Sequence, residues 1–499
     1  MAAVSEDIEY TSRTTDQEVD TVAICPSHPD YMIIGTYSLL KKDEPSDYTG
    51  QTRRGSLQIM TVMSTFKPRY AGMLPPSLDR VDFPCAVLDI HFHPSDSTLL
   101  GVATSNATVH FFRFIVHGDV LGRRVITKLL PLGSVVVAEN DEHGLVPLVT
   151  QFTWFPEARS HGVVGISDVT DVGFAATTSF GDARVVTLAV PSIKDLYDER
   201  AHQPVQQLAP SSNEVVHKHE LEAWTVAVID FGATSADENR NSTSRVILSG
   251  GDDSALIAST VSPTAIAAYP SASTSASLSS CDAASLDVMP LWKDRRSHTA
   301  GVVAILPLSP VTVRNGNGVQ NRKDIVPLVT GSYDEFIRLF EIDTKTYRAG
   351  FRTKLRLDGG VWRLKVLDQY SVPSQEGQGQ KSQHHTLILA SLMHAGAAII
   401  RITRTTAVSG SSPGDSWTIT PVTTFRGSHE SMVYCCDARL DTGSANGSSQ
   451  RSQIQEGGEQ ARGESPAKVA PEYTIVSTSF YDMKICTWKF ADDFKIQHQ

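Results

Sequence analysis

The sequence predicts an all-β protein folded as a seven-bladed β-propeller, and three observations carry that expectation. The first is the stretch LVTGSYDEFIRLF (328–340), where an apolar run breaks at Gly331 and turns at Tyr333-Asp334-Glu335. It resumes with alternating Ile337 and Leu339, so two short strands of period two flank a tight polar turn. The second is recurrence: the same shape returns at VILSGGDDSALIAS (246–259) and TIVSTSFYDMKICTWKF (474–490). The third is phasing. Seven segments each show a first strand, a second strand ending in small residues and a polar turn, and a third strand.

In chain order, the first copy runs from TVAICPSHPDYMIIGTY to SLQIMTV. The second, AVLDIHFHPSDSTLLGVATSNATVHFFRF, is the most compact and turns at Ser105-Asn106. The third runs from LVTQFTWFPE to GFAATTSFGDARVVTLAV, turning at Gly181-Asp182. The fourth joins AWTVAVIDFG to VILSGGDDSALIAS, and the fifth joins AGVVAILPL to LVTGSYDEFIRLFEI. The sixth joins GGVWRLKVLDQY to LILASLMHAGAAIIRI, and the seventh SMVYCCDARL to TIVSTSFYDMKICTWKF. Each leaves room for a weaker fourth strand, which suits a propeller of WD-repeat type. The last copy has Trp488-Lys489 where the eponymous dipeptide would sit, and the fifth has Phe340-Glu341. That last copy ends at Phe490 with nine residues left. The segment from Val4 to Thr14 is therefore expected to supply its outer strand, closing the ring and removing both sheet edges.

One domain is expected to span residues 1–499, interrupted by long inserts. These are 41–54, 233–244, 261–287, 313–324, 371–385 and 441–470, all rich in Ser, Gly, Gln or charge. Poor in large apolar residues, they cannot offset the entropy of ordering and are expected to be disordered loops.

Composition narrows the function. With 44 basic and 55 acidic residues the net charge is −11, and no basic block stands out, so phosphate-driven nucleic-acid binding is not expected. Six cysteines at 25, 85, 281, 435, 436 and 486 show no C-x-x-C spacing. Neither zinc nor a disulfide framework is expected, and reduced thiols suit the cytoplasm. The polar, acidic N-terminus resembles no signal or transit peptide. No apolar run approaches the length that spans a bilayer. A soluble cytoplasmic monomer without cofactor is the expected state.

Polar residues near the turns divide into two kinds. In WD repeats the turn aspartate bonds a histidine in the loop before the blade's first strand. Three copies offer that pair: His219 with Asp253, His298 with Asp334, and His429 with Asp482. A buried carboxylate–imidazole bond would stabilise each crossing, so these six read as structural. The sixth copy breaks the pattern. Its loop reads LDGGVW, with Asp358 near the histidine's place, and its turn reads LMHAGA, with His394 where the aspartate is expected. An imidazole without that structural bond suits general acid–base chemistry, while a bond of reversed roles between Asp358 and His394 is the equal alternative. The aromatics Trp362, Tyr333 and Tyr481 stand at strand starts or turns. Each alone reads as packing, but gathered on one rim they would face a quaternary ammonium group. A nucleophile-elbow match at 410–414 lies in a Ser/Gly loop without strand–helix context and is set aside. No P-loop, dinucleotide fingerprint, HExxH or EF-hand loop appears.

Six motifs in order, SGGDD (249–253), TGSYDEFIRLF (330–340), GGVWRLKV (359–366), LMHAG (392–396), SHESMVY (428–434) and STSFYD (477–482), resemble one family. That family is the WD-repeat diphthine methyl ester hydrolases, also called diphthine methyltransferases, of diphthamide biosynthesis. The resemblance is good over the last half of the chain and thin over the first. Leu392, Ala397 and Val366 depart from the pattern at packing positions. The resemblance implies hydrolysis of a methyl ester on a modified histidine of translation elongation factor 2, giving diphthine and methanol. Such a substrate carries a trimethylammonium group beside a neutral ester. It implies a water activated by a general base, His394 first, oriented by Asp358 or Asp437, with the aromatics holding the cation. The rival expectation is a non-catalytic scaffold for protein partners, since most propellers of this type only bind.

Overall fold

The computed structural model describes residues 8–39, 52–62, 78–118, 125–156, 159–163, 166–191, 206–230, 244–263, 286–314, 322–372, 382–406, 415–441 and 470–497. An N-terminal strand, β1 (Tyr10–Thr14), precedes seven antiparallel sheets. Blade 1 holds β2 (Glu18–Ile24), β3 (Tyr31–Leu39), β4 (Arg53–Thr61) and β5 (Asp79–Phe83). Blade 2 holds β6 (Val87–Phe92), β7 (Leu99–Thr104), β8 (Thr108–Gly118) and β9 (Val125–Val136). Blade 3 holds β10 (Val149–Trp154), β11 (Arg159–Val163), β12 (Ile166–Thr178), β13 (Asp182–Pro191) and β14 (Pro210–Lys218). Blade 4 holds β15 (Ala223–Asp230), β16 (Arg245–Gly251), β17 (Leu256–Pro263) and β18 (Leu286–Asp294). Blade 5 holds β19 (Val302–Pro307), β20 (Val311–Arg314), β21 (Arg322–Ser332), β22 (Phe336–Asp343) and β23 (Ala349–Arg356). Blade 6 holds β24 (Arg363–Val372), β25 (Gln383–Ser391), β26 (Ala397–Thr405) and β27 (Ser416–Phe425). Blade 7 holds β28 (Val433–Leu440), β29 (Glu472–Ser479) and β30 (Lys484–Ala491), followed by the short helix α1 (Asp493–Gln497).

The protein is thus a seven-bladed β-propeller, and each blade begins with the strand that the sequence pattern put first. β1 pairs antiparallel with β30, from Tyr10 opposite Trp488 to Thr14 opposite Lys484. The ring therefore closes by the N-terminal segment, which covers the outer edge of β30 and gives blade 7 its fourth strand. The expected closing segment began at Val4; residues 1–7 lie outside the described residues.

The joints between blades are where the apolar residues go. Seven buried clusters fill them, among the described residues, one for each neighbouring pair. Phe111, Phe152, Trp154 and Phe174 lock blade 2 to blade 3, and Trp488 stacks on Phe425 at 4.6 Å between blades 7 and 6. Each such side chain contributes roughly 1.5–3 kcal/mol of burial. Glycine permits the close approach. A Cβ on Gly331 would meet Val361 Cγ1 at 2.5 Å, and one on Gly250 would meet Val302 Cγ1 at 2.6 Å. The break at Gly331 is therefore not a strand end; β21 runs through it, with the next blade pressed against it.

The inserts are shorter than the sequence suggested. β4 begins at Arg53, β17 runs to Pro263 and β18 starts at Leu286, so the margins of 41–54 and 261–287 are strand. β20 ends at Arg314, β21 starts at Arg322, β24 runs to Val372 and β25 starts at Gln383, which trims 313–324 and 371–385 likewise. Backbone pairing reaches past the large apolar residues that marked the strand ends. The middles of all six inserts, and the 410–414 run, lie outside the described residues.

Candidate functional site

Consecutive first strands β2, β6, β10, β15, β19, β24 and β28 touch one another around the ring and so line its central channel. A repeated irregularity decides what faces the channel mouth. In six of these strands the pairing with the second strand shifts by one residue near its start. The residues skipped are Asp20, Leu88, Thr150, Trp224, Val303 and Tyr434. In blade 6 the pairing begins at Arg363, just past Trp362. A bulge releases one side chain from the alternation of the strand and re-aims it. Repeated around a ring, it presents seven side chains at one level.

On blades 4, 6 and 7 that level is aromatic. The ring centroids of Trp224 and Trp362 are 5.7 Å apart, and those of Trp362 and Tyr434 are 5.1 Å apart. Blade 5 supplies only Val303 at this level, and Tyr333 from its turn lies 5.8 Å from Trp362 instead. Tyr434 continues to Phe480 at 5.4 Å, and Phe480 to Tyr481 at 5.1 Å and Tyr37 at 5.6 Å. Trp362 is the hub of this wall. All of these rings are half-buried except Tyr481, which is 67% exposed.

Charge surrounds the wall. The Arg363 guanidinium lies 5.2 Å over the Trp362 ring and donates to the carbonyls of Val303 (3.4 Å) and Trp362 (3.3 Å). Burial pushes the Asp252 carboxyl above the usual range, only partly offset by the facing Trp224 indole, with Glu222 and Asp253 adding to the rise. Burial, the Asp252 charge and the neighbouring Tyr434 raise the Tyr333 phenol. Asp20 is half-buried, and burial raises its carboxyl to about 7 against the lowering field of Arg363. Deeper, a cavity of about 320 Å³ is lined by Asp89, His91, Gln151, Arg363, Lys365 and Asp437. That volume is in the range of small-molecule sites.

Several channel side chains staple neighbouring blades. Asp89 Oδ2 accepts the Phe152 N–H at 3.2 Å and meets His91 Nε2 at 2.9 Å. Gln151 Oε1 accepts the Val226 N–H at 3.0 Å. Asp437 accepts N–H bonds from Ile24 and Ala438, both at 2.7 Å, and pairs with Lys365. Asp437 was expected to orient His394. It does not, because it lies four residues along β28 from Val433, the residue bridged to Met393. At the rise of a strand that is about 13 Å.

Of the three histidine–aspartate pairs, one has the expected bond. His219 Nδ1 meets Asp253 Oδ1 at 2.8 Å, with its Nε2 on the Ser249 hydroxyl at 2.7 Å. His298 instead meets Thr330 Oγ1 at 2.9 Å, and its Nδ1 finds no partner among the described residues. Asp334 is held by both Arg338 nitrogens, at 2.8 and 2.7 Å, and by the Thr299 N–H. Arginine at a strand position reaching back to the turn displaces the imidazole. His429 meets Ser479 and Ser477 at 2.6 and 2.8 Å, while Asp482 accepts from Glu430 N–H and Ser431 Oγ, each at 2.8 Å.

Blade 6 is corrected too. In blades 4, 5 and 7 the turn aspartate precedes a residue with positive φ: Ser254, Glu335 and Met483. In blade 6 that conformation falls on Gly396, so Ala395, not His394, stands in the aspartate's place. His394 aligns with Asp252, Tyr333 and Tyr481, which are rim positions. It is exposed, as is Asp358, and no hydrogen bond joins the two. Asp358 has φ 59°, and a Cβ on Gly359 would meet Leu392 O at 2.2 Å. The histidine's place, five residues before the rim residue, holds the buried Leu357, whose N–H bonds Glu335 O as the His219 N–H bonds Gly181 O.

The structure thus brings Tyr333, Trp362 and Tyr481 onto one chain of ring contacts, and separates Asp437 from His394. Trp224, Tyr434, Phe480, Asp252 and Asp20 escaped the sequence reading. Their signal is present: AWTV, VWRL, VYCC and VDTV carry the rim residue directly after a small apolar one.

No family model matches the chain. It is similar to a Schizosaccharomyces pombe protein named diphthine methyltransferase, 22% identical over 479 residues that cover 95% of each chain. Among solved structures it aligns with Saccharomyces cerevisiae Sqt1 at 11% identity and a TM-score of 0.39, over 99% of this chain and 100% of that one.

Proposed function

We propose that this protein is an esterase that removes a methyl ester adjoining a trimethylammonium group. The substrate would be diphthine methyl ester on translation elongation factor 2, yielding diphthine and methanol in the cytoplasm. The observation that carries this reading is the aromatic wall of Trp224, Tyr333, Trp362 and Tyr434 at the mouth of a channel containing Asp20, Asp89 and Arg363. Half-buried aromatic faces attract a quaternary ammonium group with up to about 2 kcal/mol each when water is excluded. Carboxylates near the mouth add to that attraction. The adjoining channel offers an acid–base group and a guanidinium, which are what hydrolysis of a neutral ester requires. Similarity to the fission-yeast protein along nearly the whole chain supports the same pathway.

Within this reading Trp362 and Tyr333 hold the cation, and exposed Tyr481 meets the protein that bears it. His394 and Asp358 stand at the edge of the same face, where His394 would pass a proton. The test is incubation with elongation factor 2 carrying the ester, read by mass spectrometry. The expected result is loss of one methylene unit from the modified histidine, with methanol released. Stable binding without that loss would instead establish a scaffold. His394→Ala with unchanged hydrolysis would remove that residue's role and leave the reading standing.

A further inference from the structure

Three carboxylates line the channel, and they differ in what the fold asks of them. Asp89 is taken by His91 and the Phe152 N–H, and Asp437 by two N–H groups and Lys365. Asp20 makes no hydrogen bond to another described residue. It also occupies, on blade 1, the skipped position that blades 4 and 7 fill with Trp224 and Tyr434. Its side chain is therefore aimed at the level of the aromatic wall, next in the ring after Tyr434. The fold gains nothing visible from a half-buried carboxylate without a hydrogen bond to another described residue at this point. Such groups cost stability and mark sites of function.

Its surroundings complete a reaction site. Arg363 and Asp89 both act on Asp20 electrostatically, and Asp20 in turn acts on the Tyr434 phenol. Arg363 uses Nη1 for the Val303 and Trp362 carbonyls, which leaves further N–H donors of its planar fork for an oxyanion.

We propose that Asp20 is the group that activates water for ester cleavage, with Arg363 stabilising the oxyanion that forms. This rests on the methyl-ester reading above. The Asp20 carboxylate takes a proton from water as the water oxygen bonds to the ester carbonyl carbon. The carbonyl electron pair moves onto oxygen, facing Arg363. The C–O bond to the methoxy group then breaks, the carbonyl re-forms, and the proton on Asp20 passes to the departing methoxide. Methanol leaves, and the new carboxylic acid loses its own proton to solvent. A carboxyl that titrates near 7 is matched to such a proton relay at neutral pH.

The groups that act on or feel Asp20 are Asp89 on β6, Arg363 on β24 and Tyr434 on β28, while His91, Lys365, Cys435 and Asp437 line the adjoining cavity. The experiment compares wild type, Asp20→Asn and Asp20→Glu on the ester-bearing elongation factor, with melting curves for all three. Asp20→Asn is expected to lower kcat by about 100-fold or more with KM changed little. In wild type, kcat/KM should rise as pH increases through about 7, and the limb should vanish in Asp20→Asn. Asp20→Glu should recover part of the activity and keep a shifted limb. Turnover by a folded Asp20→Asn within a few-fold of wild type overturns the assignment while leaving the esterase reading intact. Should Asp20→Asn not fold, an Asp20→Glu enzyme with the wild-type pH limb overturns it equally. A wild-type protein that hydrolyses nothing overturns both.

Discussion

The corners of blades 4 and 6 occupy equivalent places and do opposite things. In blade 4, His219 is wholly enclosed, bonded at one nitrogen to Asp253 and at the other to Ser249. In blade 6 the histidine's place holds the buried Leu357, Gly359 presses against Leu392 O, the aspartate's place holds Ala395, and the polar residues Asp358 and His394 face solvent. The first corner is held by a polar network and the second by contact so close that only glycine fits. Blades 5 and 7 lie with blade 4, although their imidazoles use hydroxyls instead of carboxylates. A polar corner and a glycine corner thus build the same joint, but only the glycine corner frees its polar residues for the rim.

That contrast can be broken most forcefully by acid. Burial lowers His298 and His429 to about 4, and it also lowers His219 despite Asp253. Below pH 6.5 the unfolded chain takes up protons that His298 and His429 refuse until about pH 4 and that His219 also resists. Stability is therefore intact above 6.5 and falls across that window. Chemical denaturation at pH 7, 5.5 and 4.5 should show the loss, and His429→Asn should flatten its slope.

Next in size, His219→Ala should cost about 2–3 kcal/mol, because Asp253 and Ser249 lose their buried partner. Lys293 and Arg295, at 3.5 and 3.8 Å from Asp253, keep the loss from being larger. Gly359→Ala should cost about 1–3 kcal/mol through overpacking against Leu392 O, although it adds a single methyl group. Smallest of all, His394→Ala should leave stability within about 0.5 kcal/mol of wild type. A large destabilisation there would show that the blade 6 corner is polar after all. Outside the corners, Trp362→Ala should raise KM about 10-fold or more for a trimethylammonium substrate, since the hub of the wall is lost.

Much of the fold was legible because its signals are local. Alternation and turn residues mark strands wherever they occur, and the seven copies and their closure by the N-terminal segment follow from repetition. The partners of the buried histidines were not legible. His298 and His429 sit near the expected aspartates, but Thr330, Ser477 and Ser479 reach them first from the second strand. The site was half legible. Tyr333, Trp362 and Tyr481 showed themselves as aromatics at turns and strand starts, while Asp20 carried no mark that set it apart from other polar residues.

The sequence by itself determined the number of blades, their strands and the way the ring closes, since each depends on patterns within a few dozen residues. Tertiary structure alone decided which side chains meet at the channel mouth. One shift in pairing near the start of the inner strands turns Asp20, Trp224 and Tyr434 toward a common level, and only ring closure sets Asp20 beside Tyr434 and Arg363. No periodicity records such a shift, because a bulge changes the direction of a side chain without changing its place in the chain.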